Sequence, residues 1–366
     1  MNGHRRATLP VKVGALTIGG GAPVSVQTMA KTDTRDVAAS VTQALESFNA
    51  GAALVRFAVP DAGAALALAK IKAALGPMRP VVADIHFDHR LALSCIEGGV
   101  DALRLNPGNI GSDAAVREVA AAASDRGVPI RIGVNAGSLD RDIAARHGGA
   151  TAMALAESAL REIGILEKCG FSAIVVSVKA SDLQRTVEAY RLVSDKSPYP
   201  LHVGLTEAGS QRRGTVHSAA AIGLLLAEGI GDTIRVSLTA DPVEETKVGL
   251  EILRAVGLCE NGASVTSCPG CGRTQCDLPR AVARVESALE TLYRARPDLP
   301  RPKVAVMGCT VNGPGEAREA DIALVGGKDG FLAFERGVPS GKMPEDGIEA
   351  WIGEAVNRAA KGDVTK

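Results

Sequence analysis

Hydrophobic residues in the first two thirds of the chain fall into short continuous runs, separated by Ala-rich stretches that predict helices. Continuous rather than alternating apolar runs are typical of parallel strands buried on both faces of a sheet. Eight such runs precede a change of composition near Gly257. Their cores are Val24–Thr28, Ala53–Phe57, Val81–Asp84, Ala102–Asn106, Ile130–Gly133, Ala173–Ser177, Leu201–Gly204 and Ile234–Ser237.

Eight strand–helix units in about 230 residues have the size of a closed barrel. The pattern therefore predicts an N-terminal TIM-like (β/α)8 barrel over residues 1–256, followed by a smaller α/β domain over residues 257–366. An open, doubly wound sheet is the alternative.

Local signals support these elements. Asp241 followed by Pro242 predicts an N-cap with a first-turn proline, and Ser181 with Gln184 predicts a capping box. Apolar residues at alternate positions of segment 11–18, between glycines, predict a hairpin that plugs the N-terminal end of the barrel.

The C-terminal third has a different order of elements. After a cysteine-rich loop, the pattern predicts a helix near Arg280–Arg296, a strand over Lys303–Met307 and a Gly/Pro-rich loop. Two further strands and a final helix near Gly347–Ala360 complete a small α/β module.

Composition and charge narrow the functional classes. The 41 basic residues equal the 41 acidic residues, so no overall field draws the chain to nucleic acid or to an anionic membrane. The longest apolar run is about half of the roughly 20 residues that span a bilayer. Seven cysteines, an odd number, favour a metal or redox role over structural disulfides. We therefore expect a cytoplasmic protein that binds neither nucleic acid nor membrane.

In a parallel barrel, function is found at the mouth formed by the carboxyl ends of the strands. Polar residues follow nearly every predicted strand there: Arg56, Asp84, His86, Arg104, Asn106, Arg131, Asn135, Ser177, Lys179, His202, Thr206, Glu207, Arg235 and Ser237. A single arginine at a strand end usually only pairs with a neighbouring carboxylate.

Five cations in one concavity repel one another unless an anion lies among them, and phosphate is the usual occupant. The five are Arg56, Arg104, Arg131, Lys179 and Arg235. The glycine-rich loop Asn106–Gly111 adds backbone amides that can bind a phosphate oxygen, although such a loop is also a common tight turn. The set indicates a phosphate-bearing substrate.

A second group of candidates consists of cysteines, in SCPGCGRTQC at 267–276 and MGCTVNGPGEA at 307–317. A CxxC pair brings two thiolates together on one loop, and a third cysteine after a strand can approach them. Spacing alone fits zinc and an iron-sulfur cluster equally. The zinc interpretation makes the chain a barrel transferase acting on a phosphorylated substrate, with a structural zinc site.

The chain resembles the GcpE (IspG) family, the bacterial 4-hydroxy-3-methylbut-2-enyl diphosphate synthases. The resemblance runs nearly end to end. The segments that carry it are SCPGCGR at 267–273, VMGCTVNGPGEA at 306–317, IRIGVNAGSL at 130–139, LRLNPGNIG at 103–111, VADIHFD at 82–88 and LTEAG at 205–209. It implies reductive ring opening of 2-C-methyl-D-erythritol 2,4-cyclodiphosphate, with loss of water, in the non-mevalonate isoprenoid pathway.

The resemblance also implies residue roles. Cys268, Cys271, Cys309 and Glu316 bind a 4Fe-4S cluster, and Cys276 has no ligand role. We choose Glu207 as the proton donor to the departing hydroxyl, so the predicted catalytic residues are Glu207 and Glu316. The substrate is bound by Arg56, His86, Arg104, Arg131, Asn135, Lys179, Thr206 and Ser237. The implied partners are flavodoxin or ferredoxin as electron donor and a second copy of the chain, in a head-to-tail homodimer with composite sites.

Overall fold

A computed structural model describes residues 5–259, 264–296, 298–311 and 313–361 of the chain. The chain divides into two compact units, Met1–Cys259 and Glu260–Lys366. Each unit has its own hydrophobic core, which is dominated by aliphatic side chains.

The first unit alternates strands with helices after an initial hairpin. Its strands are β1 (Val11–Val13), β2 (Leu16–Ile18), β3 (Ser25–Met29), β4 (Leu54–Ala58), β5 (Val81–Asp84), β6 (Ala102–Leu105), β7 (Ile130–Asn135), β8 (Ile174–Lys179), β9 (His202–Val203) and β10 (Thr233–Ile234). Its helices are α1 (Val37–Asn49), α2 (Ala62–Leu75), α3 (His89–Glu97), α4 (Asp113–Arg126), α5 (Arg141–Arg146), α6 (Ala152–Lys168), α7 (Leu183–Lys196), α8 (Gln211–Ala227) and α9 (Pro242–Ala255).

Strands β3 to β10 form a parallel barrel, as the apolar runs predict. They are hydrogen-bonded in the order β8-β7-β6-β5-β4-β3-β10-β9, and a bridge between Val176 and Leu201 joins β9 back to β8. The last two strands are shorter than predicted. At Gly204 φ is 159°, and a Cβ there would lie 2.2 Å from the Arg235 carbonyl oxygen, so the regular ladder ends at this close approach.

The strand register stacks the inward-facing side chains in layers of four, each drawn from alternate strands. From floor to mouth, the layers are Leu54, Ala102, Val175 and Thr233; then Gln27, Val82, Arg131 and His202; then Arg56, Arg104, Ser177 and Arg235; then Met29, Asp84, Gly133 and Gly204. The upper layers of most such barrels are aliphatic. Here they carry charge.

The hairpin β1–β2 closes the floor of the barrel, as the sequence predicts. Its antiparallel strands bring Val13 and Ile18 against Leu54, Val82 and Ala102, and all five side chains are buried. The apolar floor separates the charged interior from solvent at the N-terminal end of the strands.

Helix starts follow local capping chemistry. Asp241 caps α9 by accepting the Val243 amide, and Pro242 occupies the first turn, as predicted. The predicted capping box at Ser181 is wrong, because Asp182 is the N-cap of α7 and accepts the Arg185 amide at 2.9 Å. A carboxylate is favoured there over a hydroxyl because its charge also stabilises the positive end of the helix dipole.

The second unit is a five-stranded mixed sheet between helices. Its elements are β11 (Ser264–Ser267), α10 (Leu278–Ala295), β12 (Lys303–Met307), α11 (Gly313–Glu319), β13 (Ile322–Gly327), β14 (Gly330–Glu335), β15 (Val338–Met343) and α12 (Ile348–Lys361). Strands β11, β12 and β13 are parallel, and β14 and β15 are antiparallel to their neighbours. Residues of α10 and α12 pack on one face of the sheet, and Ala317 of α11 packs on the other.

Three elements of this unit differ from the prediction. Strands β11 and β15 were not predicted, and α11 replaces the end of the predicted Gly/Pro-rich loop. Strand β15 is mostly exposed, so it lacks the apolar run that reveals a strand. Pro314 is compatible with α11 because it lies in the first turn, where an amide has no partner within the helix.

Replacing Ile18 by alanine tests the floor of the barrel. Removing this buried side chain from its contacts with Leu54 and Val82 should lower stability by about 2–5 kcal/mol. The matched control is Leu9→Ala, since Leu9 is 43% exposed and its truncation should change stability by less than about 0.5 kcal/mol. The measurement is the shift of the guanidinium unfolding midpoint, and equal shifts for both variants would contradict the floor packing.

Candidate functional site

A cavity of about 640 Å³ opens at the carboxyl ends of β5, β6 and β7. Its volume suits a small-molecule ligand. Its polar lining includes His86, Arg104, Asn106, Asn109 and Arg141. The cavity therefore opens where the sequence predicts the functional mouth.

The five predicted cations come together inside the barrel. Arg104, Arg131 and Lys179 are buried, and the side chains of Arg56 and Arg235 are 13% and 15% exposed. Burial lowers the pKa of Arg56 to about 10, with Arg235 and Arg104 among the cations that add to the effect. Burial also lowers the pKa of Lys179 well below its usual value, and Arg235 and Arg131 contribute. The pKa shifts therefore reflect burial first, with a further contribution from repulsion between close positive charges.

Asp84 neutralises part of this positive charge. Its carboxylate lies 3.1 Å from Arg104 Nη1, 3.5 Å from Arg56 Nε and 3.7 Å from His86 Nε2. Burial alone would raise the pKa of Asp84, but Arg56 and Arg104 outweigh burial and lower it to about 2. Asp84 is therefore ionised at neutral pH and fixes two of the cations.

Glu245 of α9 is a counter-ion that the sequence analysis missed. It is buried, lies 3.6 Å from Arg235 Nη2, and accepts hydrogen bonds from Thr28 Oγ1 at 3.0 Å and the Leu238 amide at 2.9 Å. Its signal in the sequence was weak because a glutamate in the first turn of a helix is ordinary. Only the fold brings α9 against the barrel wall at this point.

Hydrogen-bond donors exceed acceptors in this interior. Arg131 Nη1 donates to Gln27 Oε1 at 2.5 Å, but the Nε and Nη2 atoms of Arg131 are buried without a partner in the described part of the chain. The Nε atom of Arg235 is also buried without a hydrogen-bond partner among the described residues. Buried donors without acceptors are costly, so they indicate an anionic ligand.

Two inward-facing glycines leave room among the cations. A Cβ at Gly133 would lie 2.2 Å from Arg104 Nε, and a Cβ at Gly204 would lie 3.2 Å from Lys179 Nζ. Arg104 Nη2 also donates to the Gly133 carbonyl at 2.5 Å. Any larger residue at either position would occupy the space that the cationic side chains use.

Ser177 and His202, also predicted at the mouth, are buried within the barrel layers. Five further predicted mouth residues are more exposed. Asn135 ends β7, and Asn135, Thr206 and Ser237 are partly buried, while His86 and Glu207 are exposed. Glu207 has φ of 53°, which is unfavourable for a residue with a side chain and is found more often at functional sites than elsewhere.

The loop after β6 is fixed by side chains from two directions. Asn106 Oδ1 accepts the Gly133 amide at 2.9 Å, and the buried carboxylate of Glu162 in α6 accepts the Gly108 amide at 2.7 Å. Burial raises the pKa of Glu162. The Gly108 amide is therefore already satisfied by protein, which leaves the predicted phosphate-binding role of this loop a prediction.

The cysteines of the second unit follow the ends of neighbouring parallel strands. Cys268 comes directly after β11, and Cys309 comes two residues after β12, with the Gly308 amide donating to Cys268 Sγ at 3.3 Å. Cys271 is exposed on the loop that follows Cys268, and its carbonyl accepts the Thr274 amide. The donor types and their common edge of the sheet fit an iron-sulfur cluster.

Glu316 and Cys276 complete the surroundings of these thiols. Glu316 is exposed in the first turn of α11, and the Gly313 amide at the start of that helix donates to the Cys309 carbonyl. Burial raises the pKa of Cys276, and the thiol of Cys268 adds to the effect. Within the described ranges, no three His, Cys, Asp or Glu side chains are arranged to hold a single metal ion.

These features define a class of protein: a (β/α)8 barrel with a cationic, acceptor-poor interior, joined to an α/β module with cysteines at one edge of its sheet. Family models give the more specific assignment. The GcpE TIM-barrel domain matches residues 8–250, and the GcpE protein C-terminal domain matches residues 264–358. The chain belongs to the GcpE family.

Curated relatives match nearly the whole chain. Proteins from Ruminiclostridium cellulolyticum and Geobacter sulfurreducens are 50% and 51% identical to it, over 94% and 95% of this chain and 95% and 96% of their own lengths. A protein from Thermodesulfovibrio yellowstonii is 52% identical over 91% of this chain and 93% of its own length. Each is named 4-hydroxy-3-methylbut-2-en-1-yl diphosphate synthase (flavodoxin).

Among solved structures, the dihydropteroate synthase of Yersinia pestis aligns with a TM-score of 0.48 at 12% identity, over 68% of this chain and 98% of that one. No helix in the described ranges combines the length and the apolar character needed to cross a bilayer.

Replacing Gly133 by alanine tests the packing of the cationic interior. The added methyl group must displace Arg104 from its bonds to Asp84 and the Gly133 carbonyl, so binding of inorganic pyrophosphate should weaken by about tenfold or more. Isothermal titration calorimetry measures this affinity. Gly164→Ala in α6, where a Cβ meets no atom within 4 Å, is the control and should bind as the wild type does. Unchanged affinity in Gly133→Ala would show that the position of Arg104 does not matter.

Proposed function

We propose that the chain catalyses the reductive ring opening of 2-C-methyl-D-erythritol 2,4-cyclodiphosphate to 4-hydroxy-3-methylbut-2-enyl diphosphate in the non-mevalonate isoprenoid pathway. The substrate takes up two electrons and two protons, the ring C–O bond to phosphate breaks, and one hydroxyl leaves as water. The single observation that carries the proposal is the buried set of cations whose donors exceed their acceptors. The shared name of relatives about half identical to the chain supports the same reaction.

The barrel, residues 1–256, binds the substrate. Cationic side chains hold the diphosphate through charge-assisted hydrogen bonds, each of about 1.5–3 kcal/mol. The residues assigned to binding are Arg56, His86, Arg104, Arg131, Asn135, Lys179, Thr206 and Ser237. An anion among these side chains supplies the acceptors that Arg131 lacks.

Glu207 holds the proton that the departing hydroxyl receives. Its exposed carboxyl group and its strained backbone at the end of the barrel wall support an acid that points toward the mouth. Proton transfer from a positioned carboxyl group keeps hydroxide from being the leaving group.

The second domain, residues 257–366, holds a 4Fe-4S cluster through Cys268, Cys271, Cys309 and Glu316. A carboxylate binds iron less strongly than a thiolate does, so Glu316 is the ligand most readily exchanged. A bound cluster supplies the electrons of the reaction. Cys276 is not a ligand in this assignment.

The electron donor is flavodoxin or ferredoxin, in the cytoplasm. Flavodoxin is supported by the names of the relatives. We further assign the active form to a head-to-tail homodimer, in which the cluster domain of one chain serves the barrel of its partner. The resemblance to the GcpE family supports this arrangement.

The first experiment is an ultraviolet-visible spectrum with iron, sulfide and zinc analysis on anaerobically purified protein. The proposal expects absorption typical of an iron-sulfur cluster and about four irons and four sulfides per chain. Turnover of the cyclodiphosphate with a reduced donor then completes the test. A colourless protein with one zinc, resistant to reconstitution with iron and sulfide, would replace the proposal by a barrel transferase with a structural zinc site.

Replacing Glu316 by glutamine tests the exchangeable ligand. We expect turnover to fall by roughly tenfold or more, because the amide is a weaker ligand than the carboxylate. The circular dichroism spectrum should not change, because Glu316 is exposed. Glu319→Gln, also on an exposed position of α11, is the matched control and should retain activity. Normal turnover in Glu316→Gln would remove Glu316 from the ligand set.

Mixing two inactive variants tests the composite site. A mixed dimer contains one chain with Arg131→Ala in its barrel and one chain with Cys309→Ser in its cluster domain. An unaltered barrel meets an unaltered cluster domain in this dimer only if each site combines the barrel of one chain with the cluster domain of the other. We therefore expect co-expressed chains to regain activity that neither variant has alone. Failure to regain activity in verified mixed dimers would place the barrel and cluster of one site in the same chain.

A further inference from the structure

His202 lies in the charged interior but belongs to none of the assignments above. It shares a layer with Gln27, Val82 and Arg131, directly below the layer that holds Arg56, Arg104 and Arg235. The residue is 1% exposed. Its carbonyl accepts a hydrogen bond from Tyr190 Oη at 2.6 Å, which fixes the backbone of this residue in the wall.

The ring of His202 and the guanidinium of Arg131 both have buried nitrogen atoms that lack hydrogen-bond partners. Both ring nitrogens of His202 are buried without a hydrogen-bond partner among the described residues, and so are Nε and Nη2 of Arg131. Gln27 satisfies only Nη1 of Arg131. A buried polar group without a hydrogen-bond partner is costly, so both groups gain if they pair.

The charge state of His202 makes this pairing chemically suitable. Burial lowers the pKa of His202 well below 6.5, and four surrounding cations, Arg131, Lys179, Arg56 and Arg235, lower it further. A neutral imidazole has one N–H donor and one bare nitrogen acceptor. The four cations are all donors, so the bare nitrogen is an acceptor that none of them can replace.

We propose that His202 is a positioning residue of the anion site, whose bare ring nitrogen accepts an N–H of Arg131 when the anion is bound and so holds that guanidinium toward the anion above it. This inference rests on the proposed function for the identity of the anion as a diphosphate. His202 acts through Arg131.

A water molecule is the competing acceptor for Arg131. A cavity of about 20 Å³ beside the floor is lined by Gln27, Arg131 and Thr233 and otherwise by apolar residues. Its size suits one water molecule. If that water satisfies Arg131, removing the acceptor nitrogen of His202 will not alter anion binding.

The test is calorimetric titration of the full chain with inorganic pyrophosphate. His202→Phe keeps a ring of similar shape without an acceptor, and should weaken binding by about tenfold or more. His202→Asn and His202→Gln place an amide oxygen near the positions of the two ring nitrogens, and one of them should bind within about threefold of wild type. The control is His217→Phe in α8, which is outside the barrel layers and should bind normally.

Wild-type affinity in His202→Phe would overturn the proposal and favour the water. Equal weakening in the phenylalanine and both amide variants would also overturn it, because the acceptor would then not be what matters. Circular dichroism and the thermal midpoint show whether each variant is folded. In the loaded enzyme, His202→Phe should raise KM for the cyclodiphosphate more than it lowers kcat.

A second measurement uses only the wild-type chain, so it does not depend on whether a variant folds. Nitrogen chemical shifts of ¹⁵N-labelled histidine in the wild-type chain should show His202 as one neutral tautomer whose bare nitrogen shifts when pyrophosphate is added. A doubly protonated ring, or a spectrum that pyrophosphate leaves unchanged, would overturn the proposal. Pyrophosphate binding requires neither cluster nor reductant, so a missing reductase activity would count against the proposed function and leave the assignment of His202 to be decided separately.

Discussion

Positive charge buried inside a barrel must be balanced by negative charge or by hydrogen-bond acceptors, and this interior has too few of either. Asp84 and Glu245 are the ion-pair partners of Arg56, Arg104 and Arg235, while Arg131 depends on the amide oxygen of Gln27. Several features of the barrel allow this excess of positive charge to be buried. The apolar hairpin closes the floor of the barrel, and the inward-facing glycines leave space for the long cationic side chains. Helix α9 contributes the buried carboxylate of Glu245, which lies against the barrel strands.

Both units place functional groups at the carboxyl ends of parallel strands. In a parallel sheet the carboxyl ends of neighbouring strands lie at one edge, so residues far apart in sequence come together without long connections. In the barrel, Asp84 at the end of β5 and Lys179 at the end of β8 follow this rule. In the second unit, Cys268 and Cys309 follow β11 and β12, which are hydrogen-bonded neighbours. The strand register alone therefore accounts for much of the approach of the two cysteine motifs.

Regular features of the fold were predictable from sequence because they depend on local patterns. The eight apolar runs located the barrel strands. The five cations were predicted at the strand ends, but only Lys179 and Arg235 are there, whereas Arg56, Arg104 and Arg131 lie within their strands. Glu245 and Gln27 were missed because their roles depend on contacts across the barrel, such as that between Gln27 and Arg131, 104 positions apart. Edge strand β15 and helix α11 were missed because neither has a distinctive apolar pattern. The ligand roles proposed for Glu316 and the cysteines rest on family resemblance, since spacing alone left zinc and iron-sulfur equally possible.

The barrel wall is not equally strong around its circumference. Most neighbouring strands share a ladder of several residues, but β9 has only two residues and meets β8 through the single bridge between Val176 and Leu201. Beside this bridge, the Tyr190 hydroxyl donates a hydrogen bond to the His202 carbonyl. A side chain thus substitutes for backbone pairing along this seam. Local opening should begin there, and amide hydrogens of β9 should exchange with solvent before those of β7. Because His202 lies on β9 and Lys179 ends β8, such an opening would admit water to the cations from the side of the barrel.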